Sequence, residues 1–386
     1  MAKQRVCAVT GSRAEYGLLY PLLRALQQDA EFELSIIATG THLSPAFGLT
    51  YKAIESDGFT IDAKVEMLIS SDAPIGIAKS VGLGVIGLAD ALERLAPDMV
   101  MVLGDRYESF AAAQAAMFLR IPLVHLCGGD STEGAIDEAI RHSITKMACM
   151  HFVTHEVAAR RVRQMGEDPD YVFNVGSTGL DARRFFPQLD RETLARRLDF
   201  EFRAHNLLVT FHPVTLAGDL GLNQLEELLR ALDSLGDEYA IMFTGANADA
   251  AGSTVMKRLL EFAETRARAR VYTSLGQQLY YSAIAQVDAV VGNSSSGLYE
   301  VPSFHKPTVD IGERQLGRVA AASVIHCEPK ADEIAAAIGR ALTMDCSAAV
   351  NPYGDGESVK RITSVLRLAV DKGKLLRKRF NWTSGE

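Results

Sequence analysis

The chain alternates short runs of apolar residues with longer segments whose apolar residues recur at helical spacing. In its first part the short runs are Arg5–Thr10, Glu33–Ala38, Met99–Leu103, Leu123–Leu126, Cys149–Val153 and Tyr171–Val175, and helical segments such as Leu18–Leu26, Ile77–Leu95 and Phe110–Leu119 lie between most of them. Buried strands without polar alternation, separated by helices, are typical of a parallel α/β sheet. The pattern predicts one such domain over residues 1–175.

The second part repeats the alternation after a boundary. Residues Gly176–Gly179 and the polar stretch Arg183–Arg203 indicate a linker. The strands that follow are predicted at Asn206–Phe211, Ala240–Thr244, Ala269–Thr273, Asp288–Val291, Thr308–Ile311 and Ser323–His326. We therefore predict a second α/β domain over residues 176–365, and a fold of two Rossmann-like domains facing across a cleft. The basic tail at residues 372–379 is most simply a solvated helix end.

Composition excludes several classes of protein. The 386 residues carry 40 Lys and Arg against 48 Asp and Glu, a net charge of −8. No region concentrates basic charge, so no nucleic-acid partner is expected. The five cysteines form no CxxC pair, which indicates reduced thiols and a cytoplasmic location. No apolar run approaches the ~20 residues of a membrane span, so no membrane association is expected.

Polar residues collect in the loops that follow predicted strands of the first domain. Gly11-Ser12-Arg13 opens a helix, and its backbone N–H groups with Arg13 could bind an anion; an ordinary turn with a surface arginine is the alternative. Asp105 could cap the helix that follows it, lie at the floor of a cleft beside a phosphate-binding Arg106, or do both at once. Gly82–Gly87 has the letters of a dinucleotide motif but lies within a helical pattern, which favours close helix packing.

The densest polar segment runs from His125 to His142. Asp137, Arg141 and His142 fall on adjoining faces of a predicted helix. Carboxylates, an arginine and a histidine clustered after a strand suit acid–base chemistry on a charged substrate. A capped helix with an ion pair four residues apart remains the alternative.

The second domain offers a different set of side chains. His212 ends a strand before Pro213, which favours an extended backbone there. Asn247 is a weaker polar candidate after the next strand. The hydroxyls of Ser294 and Ser295, at a predicted helix N-terminus, form a possible phosphate cradle, and Glu300 could accept both hydroxyls of a ribose. A multiply capped helix would produce the same pattern.

Taken together, the motifs GSRAEYG, GDRYE, GGDSTEGAIDEAIRHSITKM, FHP, GNSSSGLYEV and IGERQLGR resemble the hydrolysing UDP-N-acetylglucosamine 2-epimerases of sialic-acid-type biosynthesis. The resemblance implies a glycosyltransferase-B fold in which a C-terminal helix, about residues 366–386, packs back on the first domain. It implies catalytic roles for Asp105, Asp137 and His212. It also implies binding roles, with Arg13, Arg106, Ser294, Ser295 and Arg314 at the diphosphate, Glu300 at the ribose, and Arg141 and His142 in the IRH motif.

One departure from the family pattern affects the chemistry. Branches that act on UDP-N-acetylglucosamine can have HIEGG where this chain has HLCGG, so Cys127 replaces a carboxylate. We hypothesise that Glu133 takes over its role. The STEGAIDE form resembles enzymes that act on UDP-N,N′-diacetylbacillosamine, toward legionaminic acid.

The resemblance implies elimination of UDP to a 2-acetamidoglycal, followed by addition of water to give the free manno-configured sugar. It implies no metal or cofactor and a homodimer or homotetramer. The alternatives are a non-hydrolysing epimerase that returns a UDP-sugar, a UDP-sugar-dependent glycosyltransferase, and a catalytically silent UDP-sugar sensor.

Overall fold

The computed structural model describes residues 3–69, 74–131, 136–214, 221–245, 250–368 and 371–382. The chain forms two compact units. Unit 1 comprises Met1–Ala182 with Tyr353–Glu386, and unit 2 comprises Arg183–Pro352. The predicted α/β class is confirmed in both units.

Unit 1 is built around a parallel sheet that has seven strands among the described residues, in the order β3-β2-β1-β4-β5-β6-β7. In chain order its elements are β1 (Gln4–Thr10), α1 (Arg13–Gln28), β2 (Phe32–Thr39), α2 (Tyr51–Ser56), β3 (Ala63–Val65), α3 (Pro74–Leu95), β4 (Met99–Leu103), α4 (Tyr107–Phe118), β5 (Leu123–Leu126), α5 (Ile136–Met147), β6 (Met150–Val153), α6 (Glu156–Gln164), β7 (Val172–Asn174) and α7 (Thr178–Asp181).

Helices cover both faces of this sheet, which explains why its strands lack polar alternation. Val6 and Ala8 of β1 share a buried cluster with Leu22 of α1. The intervening Cys7 shares a second cluster with Ala112 of α4. Successive side chains of a strand point to opposite faces, so both must be apolar where both faces are covered.

Unit 2 repeats the same plan on a parallel sheet with the order β10-β9-β8-β11-β12-β13. Its elements are α8 (Arg191–Leu198), β8 (His205–Thr210), α9 (Leu222–Asp233), β9 (Tyr239–Thr244), α10 (Ala250–Glu264), β10 (Ala269–Tyr272), α11 (Gly276–Gln286), β11 (Ala289–Gly292), α12 (Ser296–Tyr299), β12 (Thr308–Ile311), β13 (Val324–Cys327) and α13 (Ala331–Thr343).

Each sheet has one point at which the strand order reverses. In unit 1 it lies between β1 and β4, and in unit 2 between β8 and β11. Open parallel α/β sheets bind ligands beyond the carboxyl ends of the strands at such switch points. The loops that follow these four strands are therefore the places to look for chemistry.

The chain returns to unit 1 through α14 (Ser358–Leu368) and α15 (Lys372–Leu376). Unit 1 extends to Ala182, beyond the predicted boundary after residue 175, and the return begins at Tyr353, earlier than about residue 366. Hydrogen bonds account for both differences. The Ser177 N–H donates to the Tyr353 carbonyl at 2.7 Å, and the Asp181 carboxylate caps α14 by accepting from the N–H groups of Ser358 and Val359.

The basic tail is not simply solvated. Lys378 Nζ lies 2.7 Å from Glu167 Oε2 and donates to two carbonyls of unit 1, and Lys372 Nζ lies 2.5 Å from Asp98 Oδ1. The predicted solvated end is therefore wrong for these two lysines, because each pairs with a carboxylate of unit 1.

Helix α3 departs from the expectation that no segment could cross a membrane. Its 22 residues, with a mean hydropathy of 1.6 in the most apolar window, are long and apolar enough to do so, and 33% of that window is buried. Length and composition alone are weak evidence, since core helices also meet this standard. A Cβ at Gly84 would lie 2.9 Å from Met67 Cε and one at Gly87 2.8 Å from Val65 Cγ1, which confirms close packing at these two glycines. The prediction is wrong at Gly82, where a Cβ would meet nothing within 4 Å.

Candidate active site

An ion pair between Asp105 and Arg141 stands at the switch point of unit 1. Asp105 follows β4, and Arg141 reaches its Oδ2 from the second turn of α5. Arg141 is almost fully buried and also donates to the Asp130 carbonyl at 2.8 Å. The cap of α4 is Arg106, so Asp105 is not the predicted helix cap, and its carboxylate engages the buried arginine instead.

A buried histidine supports the turn that carries Asp105. His125 Nε2 lies 2.8 Å from the Gly104 carbonyl, and its Nδ1 lies 3.1 Å from Thr145 Oγ1. Burial lowers the pKa of His125 to about 3, so the ring is neutral at physiological pH. Its role is to hold the turn, where Gly104 has a φ of 74° that favours glycine.

Asp137 lies in the first turn of α5, close enough to Asp105 for their charges to interact. Burial raises the pKa of Asp137, the negative charge of Asp105 raises it further, and Arg141 and Arg106 oppose the rise. Two neighbouring carboxylates with arginines beside them are therefore the candidates of unit 1 for acid–base chemistry.

The next turn of α5 adds a hydrogen-bonded side-chain network. Glu138 Oε1 accepts from Ser131 Oγ at 3.0 Å and lies 3.1 Å from His142 Nε2, and Glu138 Oε2 accepts from Arg141 at 3.3 Å. The ring of His142 therefore contacts Glu138. Sequence reasoning did not select Glu138, although it stands inside the quoted motif.

Arg106 is held by a carboxylate that sequence reasoning also missed. Its Nε and Nη2 donate to the two oxygens of Glu108 at 3.1 and 2.8 Å, and the Glu108 side chain is fully buried. A Cβ at Gly11 would lie 2.7 Å from Glu108 Cβ, and one at Gly40 2.6 Å from Glu108 Oε1. The two glycines thus make room for the carboxylate that orients Arg106.

The loop before α1 already holds an anionic group of this chain. Glu15 Oε2 accepts from the Gly11 N–H at 2.8 Å and from Ser12 Oγ, while Ser12 Oγ caps the helix at the Glu15 N–H. Burial and then the charge of Glu108 raise the pKa of Glu15 to about 7. The predicted anion-binding role of this loop is therefore left to Arg13, which is exposed and forms no ion pair with the described residues.

Cys127 lies directly after β5, before the loop that carries Asp130. It has a φ of 61°, in the left-handed region that non-glycine residues seldom adopt. Burial, followed by the charges of Asp130 and Asp105, raises the pKa of its thiol to about 12. The thiol therefore stays protonated near neutral pH and cannot act as the carboxylate that it replaces.

In unit 2, the strand ends at the switch point are joined through Asn293. Its Oδ1 accepts from the His212 N–H at 2.7 Å, and its Nδ2 donates to the His212 carbonyl at 2.9 Å. Gly292 has a φ of 139°, and a Cβ there would lie 1.9 Å from the Thr210 carbonyl oxygen. Only glycine permits this approach, which fixes His212 beside the loop that carries Ser294 and Ser295, called the serine loop below.

The serine loop departs from the prediction in one respect. Ser294 and Ser295 precede α12, which is a single turn of four residues and continues as a 3₁₀ turn at Val301–Phe304. So short a helix has little dipole to offer an anion, so the predicted helix charge is wrong. Positive charge comes instead from Arg314, whose Nη1 donates to the Asn293 carbonyl at 3.0 Å.

The environment of Arg314 itself favours an anion. Burial and the neighbouring Arg318 lower the pKa of Arg314, whereas Asp310 raises it. A phosphate bound between these two guanidinium groups and the neighbouring hydroxyls would reduce the electrostatic repulsion between the arginines.

The carboxylate of Glu300, in unit 2, is buried and only partly hydrogen-bonded by the described residues. Its Oε2 is buried and has no hydrogen-bond partner in the described residues, and burial raises its pKa to about 7, partly offset by a hydrogen bond with Ser296. Tyr280 donates to Ser296 Oγ at 2.7 Å, which continues the network. A buried acceptor without a donor fits a ligand that brings hydroxyl groups.

Two candidates fall outside the described residues. Glu133 and Asn247 lie there, so their predicted roles remain predictions. Where the structure describes the chain, no group of three or more His, Cys, Asp or Glu side chains is placed to hold a metal ion.

Comparison with known proteins gives a consistent result over most of the chain. Residues 24–367 match a family model described as UDP-N-acetylglucosamine 2-epimerase. The GDP/UDP-N,N′-diacetylbacillosamine 2-epimerase (hydrolyzing) of Campylobacter jejuni is 41% identical, over 85% of each chain. The UDP-N,N′-diacetylbacillosamine 2-epimerase (hydrolyzing) of Legionella pneumophila is 32% identical, over 97% of this chain and 98% of the other. Polysialic acid biosynthesis protein P7 of Escherichia coli is 38% identical, over 83% of this chain and 82% of the other.

Solved structures agree on the fold. The UDP-GlcNAc 2-epimerase of Neisseria meningitidis, solved bound to UDP-GlcNAc, has a TM-score of 0.80 at 18% identity and covers 95% of this chain and 100% of its own. A putative UDP-N-acetylglucosamine 2-epimerase from Listeria monocytogenes has the same TM-score at 21% identity, over 95% and 96% of the two chains. The predicted glycosyltransferase-B type of fold is confirmed by these likenesses.

Proposed function

The chain belongs to the UDP-N-acetylglucosamine 2-epimerase family, and on that premise we propose that it is a hydrolysing 2-epimerase acting on UDP-N,N′-diacetylbacillosamine. Its products are UDP and the free manno-configured sugar, a precursor for nonulosonic acids of the legionaminic type. Two relatives with this named activity, at 41% and 32% identity, support the proposal. The relative named for polysialic acid biosynthesis supports the pathway.

One observation carries the proposal. Each unit presents, at its own switch point, one of the two sets of groups that the reaction needs. Unit 1 has the Asp105–Arg141 pair beside Asp137, whose pKa is raised. Unit 2 has the serine loop with Arg314 and a buried Glu300 oxygen that lacks a donor.

Elimination requires a base and a stabilised leaving group. The C2 hydrogen is a weak acid, so a carboxylate of unit 1 removes it as the C1–O bond breaks, and the bond's electron pair leaves with UDP. We assign stabilisation of the developing diphosphate charge to Arg314 and the hydroxyls of Ser294 and Ser295. Glu300 accepts the ribose hydroxyls, which gives its buried oxygen the donor that it lacks.

Hydration of the resulting 2-acetamidoglycal inverts C2. Water adds to C1 and a proton is delivered to C2 from the face opposite to the one it left, so a second proton-transfer group is required. Asp105, paired with Arg141, and the neighbouring Asp137, whose pKa is raised by burial and by the charge of Asp105, are the two carboxylates that we propose for these proton transfers. His212, fixed by Asn293, is the proposed active-site residue that unit 2 supplies.

The decisive experiment is incubation of the purified protein in deuterated water with UDP-N,N′-diacetylbacillosamine, UDP-N-acetylglucosamine or the GDP analogue. We expect UDP and a free 2-epimeric sugar with deuterium at C2, formed fastest from UDP-N,N′-diacetylbacillosamine. A returned UDP-sugar with no free UDP would indicate the non-hydrolysing epimerase. UDP release only with an acceptor would indicate a glycosyltransferase, and binding without turnover a sensor. Each of these results would overturn the proposal.

A further inference from the structure

The loop that follows β5 is anchored to both neighbouring helices. Arg141 of α5 donates to the Asp130 carbonyl, and Arg161 of α6 donates to the Gly129 carbonyl. A Cβ at Gly129 would lie 2.5 Å from the Ala158 carbonyl oxygen, so the loop lies directly against α6. The position of the Asp130 side chain is therefore fixed by its surroundings and not by the loop alone.

His155 provides an N–H donor to that side chain. Its Nδ1 caps α6 by accepting from the Ala158 N–H at 3.1 Å, so this nitrogen carries no proton. The proton is then on Nε2, which lies 2.6 Å from Asp130 Oδ1. The helix cap thus sets the tautomer, and the tautomer makes His155 a neutral donor to Asp130.

Packing also fixes the orientation of the His155 ring. It is nearly fully buried and makes an edge contact with Tyr353, with ring centroids 5.3 Å apart. Asp130, in contrast, keeps about a quarter of its side chain exposed, at 23%. A carboxylate that receives a fixed donor on one oxygen and still reaches solvent has a defined orientation in which a water molecule can approach it.

This region lacks the carboxylate that Cys127 replaces. The Cys127 thiol stays protonated, and the charge of Asp130 acts on it more strongly than that of Asp105. Of these two carboxylates, Asp130 therefore has the larger electrostatic effect at Cys127, the residue that stands where the UDP-N-acetylglucosamine branch can have a glutamate.

We propose that Asp130, oriented by His155, is the general base of the hydration step and that it, in place of the hypothesised Glu133, supplies the carboxylate function that Cys127 cannot. This inference rests on the proposed function. Water gives its hydroxyl to C1 of the glycal and its proton to the Asp130 carboxylate, and a separate protonated group delivers a proton to C2. The net change is addition of one water, and Asp130 later returns its proton to solvent. His155 is a positioning residue that acts through Asp130.

Two substitutions of His155 separate its cap from its donor. His155→Asn keeps an oxygen near the Nδ1 position, where it can cap α6, but cannot reach Asp130. His155→Gln places an amide N–H near the Nε2 position and caps poorly. We expect the hydration rate to depend on whether the variant donates to Asp130, and thermal stability to depend on whether it caps α6.

The assay supplies the 2-acetamidoglycal of N,N′-diacetylbacillosamine together with UDP and follows the free sugar by NMR. Asp130→Asn should slow hydration by about 10²-fold or more, yet still form UDP and glycal from the UDP-sugar within about fivefold of the wild-type rate. His155→Asn should slow hydration by about tenfold or more in kcat with little change in KM, and its Tm should fall only by what the lost ring contact with Tyr353 costs. His155→Gln should hydrate within about threefold of wild type and melt about 2–4 °C lower.

Three results would overturn the inference alone. The first is hydration by Asp130→Asn at the wild-type rate. The second is a loss of UDP release in Asp130→Asn that is as severe as its loss of hydration. The third is a hydration rate that falls equally in the two His155 variants and follows their Tm. If the wild-type protein neither releases UDP from any donor nor hydrates the glycal, the proposed function fails and this inference falls with it.

Discussion

Glu300 offers a test in which stability and binding move in opposite directions. Its pKa rises from 4.5 to about 7 because the carboxyl is buried, so the folded protein resists its ionisation. At 1.36 kcal/mol for each pH unit, the ionised form costs the fold at most about 3 kcal/mol. Because the residue keeps some contact with solvent, we expect about 2 kcal/mol of this to be measurable.

The sign follows from linkage. A carboxyl whose folded pKa is raised stabilises the fold below its unfolded pKa, and this stability is lost as pH rises from about 4.5 through about 7. Glu300→Gln removes the titration, so the variant should equal wild type near pH 4 and be more stable by about 2 kcal/mol at pH 8. For a unit of this size that difference is a Tm higher by about 4–8 °C.

Binding should change in the other direction. A hydrogen bond to a charged group contributes about 1.5–3 kcal/mol, so Glu300→Gln should weaken UDP binding about 10- to 100-fold at pH 8. Calorimetry gives Tm at pH 4 and pH 8, and titration calorimetry gives the UDP Kd. Glu264→Gln, which removes an exposed carboxylate at the end of α10, is the matched control and should change neither. A Glu300→Gln protein that is less stable at pH 8, or that binds UDP as tightly as wild type, would refute the reasoning.

Three further substitutions test particular contacts. Asp137→Asn should lower kcat by about 10²-fold or more with little change in Tm, measured as formation of the free sugar, whereas the exposed Asp90→Asn should have no effect. Gly292→Ala should destabilise unit 2 by more than about 3 kcal/mol in urea unfolding, because its Cβ meets the Thr210 carbonyl oxygen at 1.9 Å. The open Gly339→Ala in α13 should be neutral or stabilising. Asp181→Ala should cost about 1–2 kcal/mol and speed hydrogen exchange in α14, since it removes the cap of that helix; unchanged exchange would contradict the capping role.

The strands were predictable because burial on both faces leaves a strong signal. Met99–Leu103 is apolar throughout, Leu123–Leu126 is apolar except for the buried His125, and both strands have the predicted bounds. The strand Ala63–Val65 was missed because three residues with a central lysine form no apolar run. The helix after the serine loop was overestimated because Pro302 ends it after one turn and a 3₁₀ turn follows.

The candidate site shows the same division between local and tertiary information. Asp105, Asp137 and Arg141 could be selected because polar residues after buried strands are unusual. The partners that orient them could not. Glu108 belongs to the quoted GDRYE motif, but only the glycine-lined space around it shows that it holds Arg106. The sequence offered no signal for His155, because its role depends on a helix cap and on a loop 25 residues away in sequence.

The coupling of C2 deprotonation to the departure of UDP is tested most directly with a donor that carries deuterium at C2, in ordinary water. The account predicts slower UDP release than from the protium donor, and a free 2-epimeric sugar that has lost its deuterium to solvent. UDP release at an unchanged rate, with a free sugar that retains deuterium and its original configuration, would show simple hydrolysis and contradict the account.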